Sequence, residues 1–244
     1  MSRHITRMEL EHAAHIPEDA RASIIAAYPA HERDARIRGI PVLGSGRVFP
    51  IADDAIAEEA LTIPAHWPKI GGIDIGWDHP TAAVLVAWDR DNDTVHVCNT
   101  YRVREQTPVV HAASLLAWGK DLPWAWPHDA LQHDKGSGSQ IADQYRSRGL
   151  NMLFDRAQFE DGSFGLEAGV SVLLERMQTN RFKVARHLSD WWEEFRMYHR
   201  KEGLIVKERD DLMSATRYAI MMLRFAEVDK KEDRYRRREQ KWIV

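Results

Sequence analysis

Four aspartates occupy positions in the sequence where a carboxylate is expected to take part in chemistry. Asp74 lies within the apolar run 70–75, which has the composition of a buried β-strand. Asp129 follows a short tryptophan-rich run, and the carboxyl end of a strand is where open sheets place their sites. Asp210 and Asp211 stand at the start of the last long helical pattern. Because carboxylates repel one another, gathering them requires a cation, and oxygen donors favour a hard divalent ion over zinc.

The same residues also allow plainer interpretations. Asp210 has the residue type of a helix N-cap, and Asp211 that of a favourable partner for the helix dipole. Asp129 has the type of a loop cap. Asp74 has the weakest alternative, since a carboxylate buried in a strand is costly unless it is paired, hydrogen-bonded or metal-bound. The spacing alone therefore leaves both the metal site and the capping roles open.

The composition sets the class of protein. The chain has 244 residues, of which 44% are hydrophobic and 29% charged, so we expect one large globular domain, alone or with an appendage. These values exclude a disordered or membrane-spanning chain. The net charge of −3 excludes a general cationic coat for nucleic acid but not local basic patches. A single cysteine, Cys98, excludes an intramolecular disulfide, and the sequence favours a reducing cytosol.

Hydrophobic periodicity predicts the elements that must position the aspartates. From residue 69 onward it predicts three antiparallel strands and then alternating helices and short strands. The predicted strands are 70–75, 82–88, 94–103, 124–126, 152–154, 182–184 and 204–206. The predicted helices are 109–119, 140–148, 164–178, 188–200 and 212–225. This order predicts an α/β fold, a mixed sheet of three antiparallel strands followed by parallel strands, with helices on both faces.

The two ends of the chain read differently. Residues 1–66 include a predicted helix at 17–28 and a strand-like run at 47–51. We interpret this segment as a linker that packs against another part of a protein. The predicted domain occupies 67–228. A tail at 229–244 follows, with seven basic and three acidic residues over 230–241.

The sequence resembles the nuclease domain of bacteriophage terminase large subunits, the DNA-packaging motors of tailed phages. A further stretch, 31–51, is similar to the segment that joins the ATPase and nuclease parts of that family. The order of three blocks is more specific than any one of them. The blocks are GGIDIGWDHPTAAVLVAWD (71–89), PHDALQHDKGSGSQIADQYRSRGL (127–150) and KERDDLMSATRYAIMM (207–222).

The resemblance implies a ribonuclease H-like fold, similar to that of retroviral integrases. It places the acidic cluster of the family on Asp74, on Asp129 and on the Asp210–Asp211 pair, and it leaves open which member of the pair is the main ligand. Asp78 is close enough in sequence to assist as an outer ligand. The phosphate loop that the family motor requires is absent from the sequence, so no ATPase activity is expected of this chain.

The implied activity is endonucleolytic cleavage of double-stranded, concatemeric viral DNA during genome packaging. Two Mg²⁺ ions, with Mn²⁺ as a substitute, activate water and stabilise the leaving oxygen in such reactions. Asp74 is expected to bridge both ions, with Asp129 on one and Asp210 or Asp211 on the other. The implied partners are the portal protein, the small terminase subunit and the ATPase domain of the full-length protein, in the cytoplasm of the infected host.

Contacts to DNA are expected to be made mainly to phosphates. Each basic candidate also has the plainer interpretation of a solvated surface charge. Lys135 is the first choice, because glycines flank it in a loop just past Asp129. The candidates are Lys135, Arg146, Arg148, Lys207 and Arg209.

Three other interpretations remain open at this point. The domain is also consistent with a docking module for the portal or the small subunit, with little cleavage of its own. A junction resolvase of the ribonuclease H-like class shares the acidic cluster but prefers branched DNA. Asp74-Ile75-Gly76 also resembles the first phosphate loop of actin-like ATPases, although the chain shows no second such strand.

Overall fold

A mixed β-sheet forms the centre of this protein. The computed structural model describes residues 13, 15–27, 37, 46–128 and 141–229. Asp129, Lys135 and the basic tail therefore lie outside the described residues. Within the described ranges, seven strands form the sheet in the order β1-β7-β4-β3-β2-β5-β6. The strands are β1 (Ala57–Glu58), β2 (Lys69–Asp74), β3 (Thr81–Asp89), β4 (Thr94–Val103), β5 (Pro123–Ala125), β6 (Asn151–Met152) and β7 (Phe182–Ala185).

The strand directions confirm the predicted mixed sheet. β2, β3 and β4 are antiparallel to one another. β5 is parallel to β2 and β6 is parallel to β5, while β7 is parallel to β4 on the other side. β1 adds a short edge strand parallel to β7. A separate hairpin pairs β8 (Arg200–Lys201) with β9 (Leu204–Ile205).

Helices cover both faces of the sheet, as predicted. Alternate residues of β3 point to opposite sides of the sheet, and their apolar side chains are buried by helices on each side. Val84 and Val86 belong to one core cluster together with residues of three helices. Leu85 belongs to a second cluster together with residues of two other helices. The helices are α1 (Glu18–Ala27), α2 (Asp53–Ile56), α3 (Pro108–Leu115), α4 (Ile141–Ser147), α5 (Leu166–Gln178), α6 (Ser189–Met197) and α7 (Asp211–Met221), with 3₁₀ turns at Leu116–Trp118 and Leu223–Phe225. No helix in these described parts is long and apolar enough to cross a membrane.

The predicted strand at 47–51 is wrong. Arg47 forms only one isolated bridge, to His199, and the residues after it do not continue the pairing. Val48 and Phe49 are instead buried in the core. The Phe49 ring stacks on Phe195 with centroids 5.9 Å apart, so side-chain packing rather than strand pairing holds this segment.

Residues near the end of the predicted linker pack into the same core. Ile56 is fully buried beside β7, and β1 extends the sheet by one strand. The proposed boundary between residues 66 and 67 stays a prediction.

The aromatic residues of α6 and of its C-cap position pack inside the domain. Trp191, Trp192, Phe195 and Tyr198 are each at most 4% exposed. These rings are therefore part of the core and are not available to stack on bases.

Helix α7 lies unusually close to β2 because Gly72 has no side chain. A Cβ atom built on Gly72 would lie 2.0 Å from the carbonyl oxygen of Ala215 and 3.0 Å from the Cβ of Ala219. α7 packs across both β2 and β3 through this contact. The glycine thus sets the distance between the strand that ends in Asp74 and the helix that begins at Asp211.

We expect Gly72→Ala to lower the free energy of unfolding by about 3 kcal/mol or more, because backbone cannot move aside as a flexible side chain can. Urea denaturation of the purified variant measures this. Gly165→Ser is the matched control, since a Cβ at Gly165 meets nothing within 4 Å and serine is a preferred N-cap for the helix that follows. Equal stability of the two variants would contradict the role given to Gly72.

Candidate functional site

A cleft of about 260 Å³ lies where β2 ends and α7 begins. Its lining includes three carboxylates from two distant parts of the chain, Asp74, Asp210 and Asp211. The same cleft is lined by two cationic side chains, Lys207 and Arg217. Three of the four predicted aspartates are thus brought to one place by the fold.

Asp74 is the last residue of β2 and is half-buried, not buried in mid-strand as the sequence pattern predicted. It lies opposite Ala82 at the final position of the β2–β3 register. The pairing stops there because the chain turns, and the Thr81 hydroxyl donates to the carbonyl of Gly76 at 3.0 Å to close the turn. Asp74 is therefore held by a rigid strand but opens onto the cleft.

The capping interpretation of Asp210 is wrong. Asp210 occupies the N-cap position of α7, but its side chain makes no capping hydrogen bond. Asp211 is the first helical residue and is 7% exposed. Both carboxylates are therefore left to face the cleft instead of satisfying the start of the helix.

Glu194 of α6 caps α7 in place of Asp210. Its Oε2 accepts hydrogen bonds from the backbone N–H of Leu212 at 2.6 Å and of Met213 at 3.3 Å. Arg102 of β4 lies 2.9 Å from Oε1 of Glu194 and 3.7 Å from Oδ2 of Asp211, so one guanidinium joins the two carboxyl groups. The sequence contains a signal for this role, since Glu194 lies three residues after Trp191 on the apolar face of its helix.

Burial dominates the electrostatics of these acids. It raises the pKa of Glu194 to about 8, with the Asp211 charge acting in the same direction and Arg102 against it. Burial also raises the pKa of Asp210, and the neighbouring charge of Asp211 raises it further. The pKa of Asp211 is raised by burial and partly lowered by Arg102 and His79. Such a cluster is stabilised by a bound cation.

The donor types fit a hard divalent cation. Across the described ranges, no three His, Cys, Asp or Glu side chains form a group that could hold one metal ion. Asp210 and Asp211 at the start of α7, with Asp74 at the end of β2, nevertheless supply the oxygen ligands that Mg²⁺ and Mn²⁺ prefer. β5 runs parallel to β2 with Ala125 opposite Gly72, so the carboxyl ends of these two strands lie at the same end of the sheet. Asp129 itself stays a prediction.

The basic candidates fall in different environments. Of those that the structure describes, only Lys207 lines the cleft. Arg146 donates to the carbonyl of Leu153 at 2.7 Å and to Asp143, which ties it to the fold. Arg209 pairs with Glu193 at 2.9 Å. Arg148 and Asp78 are exposed, and neither is among the residues that line the cleft.

This architecture defines a ribonuclease H-like domain, in which carboxylates of the first core strand and of the last helix share a cleft. Residues 71–223 match the family model described as "Terminase RNaseH-like domain". The chain belongs to this terminase family.

Similar proteins from phage P22 agree with the family match. The terminase large subunit of Salmonella phage P22 is 42% identical over 226 residues, which is 92% of this chain and 45% of that protein. The chain therefore spans less than half the length of that relative. The solved nuclease domain of the P22 large terminase is 42% identical, has a TM-score of 0.71, and is matched over 75% of this chain and 95% of its own.

A more distant structure shares the fold alone. The g2p large terminase nuclease domain of bacteriophage SPP1, solved with bound Mn, is 14% identical and has a TM-score of 0.51. The match covers 68% of this chain and 94% of that domain.

We expect Glu194→Ala to lower the free energy of unfolding by about 2–4 kcal/mol, because it removes the cap of α7 and leaves Arg102 with one acidic partner. Glu193→Ala is the matched control. Glu193 is an exposed neighbour in an ion pair with Arg209, and its loss should change stability by about 0.5 kcal/mol or less. Chemical denaturation of both variants measures the difference. If Glu194→Ala is as stable as Glu193→Ala, the capping role is wrong.

Proposed function

We propose that this chain is the nuclease part of a phage DNA-packaging enzyme, a metal-dependent endonuclease that cuts concatemeric double-stranded viral DNA. One observation carries the proposal. Asp74 and the Asp210–Asp211 pair, 136 residues apart or more in sequence, line one cleft in a chain of the terminase ribonuclease H-like family. The likeness to the solved P22 nuclease domain further supports the nuclease role. The Mn bound in the SPP1 domain further supports the use of a divalent metal.

We propose Asp74, Asp129 and either Asp210 or Asp211 as the ligands of two Mg²⁺ ions, with Mn²⁺ as a substitute. When bound, such ions supply an activated water and stabilise the leaving oxygen of the phosphodiester. Asp74 presents its carboxylate from the end of a rigid strand, which suits a ligand shared by both ions. Arg102 and the helix start hold Asp211 in place, and Glu194 holds that helix start.

The remaining assignments are part of the same proposal. Lys207 is the basic candidate best supported by position, because it lines the cleft. Lys135, Arg146, Arg148 and Arg209 stay candidates for contacts farther along the DNA. We propose residues 67–228 as the nuclease domain, and an ATPase domain, a portal protein and a small terminase subunit as partners in the host cytoplasm.

We expect Asp74→Asn to lower the rate of plasmid cleavage by more than about 100-fold while the fold stays intact, because a ligand contributes more than the outer-shell groups whose loss costs 10–100-fold. Asp121→Asn is the matched control. Asp121 is exposed and precedes β5, so it lies at the end of the parallel strands β2 and β5 that is opposite to Asp74. The assay is conversion of supercoiled plasmid to nicked and linear forms. Cleavage by Asp74→Asn at the rate of Asp121→Asn would remove Asp74 from the site.

Chelation tests the requirement for a cation. We expect excess EDTA to abolish cleavage and Mg²⁺ or Mn²⁺ added above the chelator to restore it, because bound divalent ions would supply the activated water and stabilise the leaving oxygen. Titration of Mn²⁺ against the cleavage rate measures this. Activity that is indifferent to EDTA would exclude the metal-dependent mechanism.

A chain that binds portal protein but never cuts DNA would favour the docking interpretation.

A further inference from the structure

We propose that Arg217 binds a non-bridging oxygen of a DNA phosphate inside the carboxylate cleft, an inference that rests on the nuclease function proposed above. Arg217 lies on α7 about two helical turns beyond Asp210, on the same side of the helix. It lines the cleft together with the carboxylates. Nothing in the amino-acid sequence distinguishes it from the other arginines.

Arg217 is a buried cation whose donors are largely unused. It is 8% exposed, and its Nε has no hydrogen-bond partner. No salt bridge joins it to a carboxylate in the described part of the chain. Its Nη1 lies 3.7 Å from the sulfur of Met221, a weak acceptor, and its guanidinium stacks 4.5 Å from the centre of the Tyr218 ring. The charge of Arg217 lowers the pKa of the nearby Asp210, but no salt bridge joins these two described residues, so the unused donors point to a further ligand.

The fold is shaped to place this side chain. A Cβ atom on Gly169 of α5 would lie 2.6 Å from both Cγ and Cδ of Arg217. The stem of the arginine therefore passes directly over the glycine, and the missing side chain decides where the guanidinium ends. Leu166, the first residue of the same helix, also lines the cleft.

The chemistry favours a phosphate over a purely structural role. A guanidinium presents a planar fork of N–H donors that matches the oxygens of a phosphate. Lys207 adds a second positive charge to the lining of the same cleft. The alternative is that Arg217 only balances the charge of the carboxylates, and the two roles differ in what its removal does to metal binding. Loss of a charge-balancing cation would make Mn²⁺ bind more tightly, whereas loss of a phosphate contact would weaken DNA binding.

The test compares Arg217→Gln and Arg217→Lys with the wild-type chain on a linear DNA duplex. We expect Arg217→Gln to lower kcat/KM by about 10- to 100-fold, and Arg217→Lys to fall between, since lysine keeps the charge but not the fork. Half-saturating Mn²⁺ should stay within about twofold. With Asp74→Asn as background, fluorescence anisotropy at increasing KCl should give a slope of log Kd against log [KCl] that is lower by about 0.9 in Arg217→Gln.

Gly169→Ala approaches the same contact from the other side. Its added methyl group displaces the arginine stem, so it should lower kcat/KM in the same direction as Arg217→Gln. Gly165→Ser is the control, because that position is open, and it should behave as wild type. Circular dichroism and urea denaturation check folding. If Gly169→Ala does not fold, the two Arg217 variants decide the question.

Wild-type kcat/KM together with an unchanged salt slope in Arg217→Gln would overturn the proposal. Tighter Mn²⁺ binding with an unchanged salt slope would overturn it in favour of charge balance. The proposed nuclease function fails separately, if the wild-type chain does not cleave DNA with Mn²⁺ or Mg²⁺. In that case a lower salt slope in Arg217→Gln would still support the phosphate contact.

Discussion

The close contact between Gly72 and the backbone of α7 fixes where the carboxylates of this protein can meet. The strand that ends in Asp74 and the helix that begins at Asp211 approach until the carbonyl of Ala215 fills the space of a missing side chain. A larger residue at position 72 would move the helix away from the sheet. The acidic residues at the two ends would then no longer line one cleft, so the site depends on a packing distance before it depends on charge.

Charge then decides how the helix start is arranged. Asp210 lines the cleft and its side chain does not cap α7. The cap comes instead from Glu194 on the neighbouring helix. Arg102 joins Glu194 to Asp211 and compensates part of their burial. The raised pKa values of Asp210 and Asp211 show that compensation is incomplete. A divalent cation would stabilise these same carboxylates.

Strong periodicity made the sheet predictable. The strand predicted at 94–103 is found at Thr94–Val103, and the helix predicted at 164–178 begins two residues later at Leu166. The strand prediction at 47–51 was wrong because the apolar residues of this segment are buried as individual side chains. A run of apolar residues does not distinguish such packing from strand pairing. Glu194 and Arg217 were missed for a related reason. Each is a charged residue whose role depends on residues of other elements, and only the position of Glu194 on the apolar face of its helix gives a local sign of that role.

The class of fold and the family could be read from the amino-acid sequence, which also supplied the four aspartates as candidate ligands, because alternating apolar runs and short motifs are local properties of the chain. Tertiary structure alone decided that Asp74 ends its strand at an open cleft, that Glu194 replaces Asp210 as the cap, and that Arg217 is buried beside the carboxylates. These outcomes follow from contacts between β2, α5, α6 and α7, which are distant in sequence. Burial and charge act through space, so only the folded arrangement determines which side chains share them.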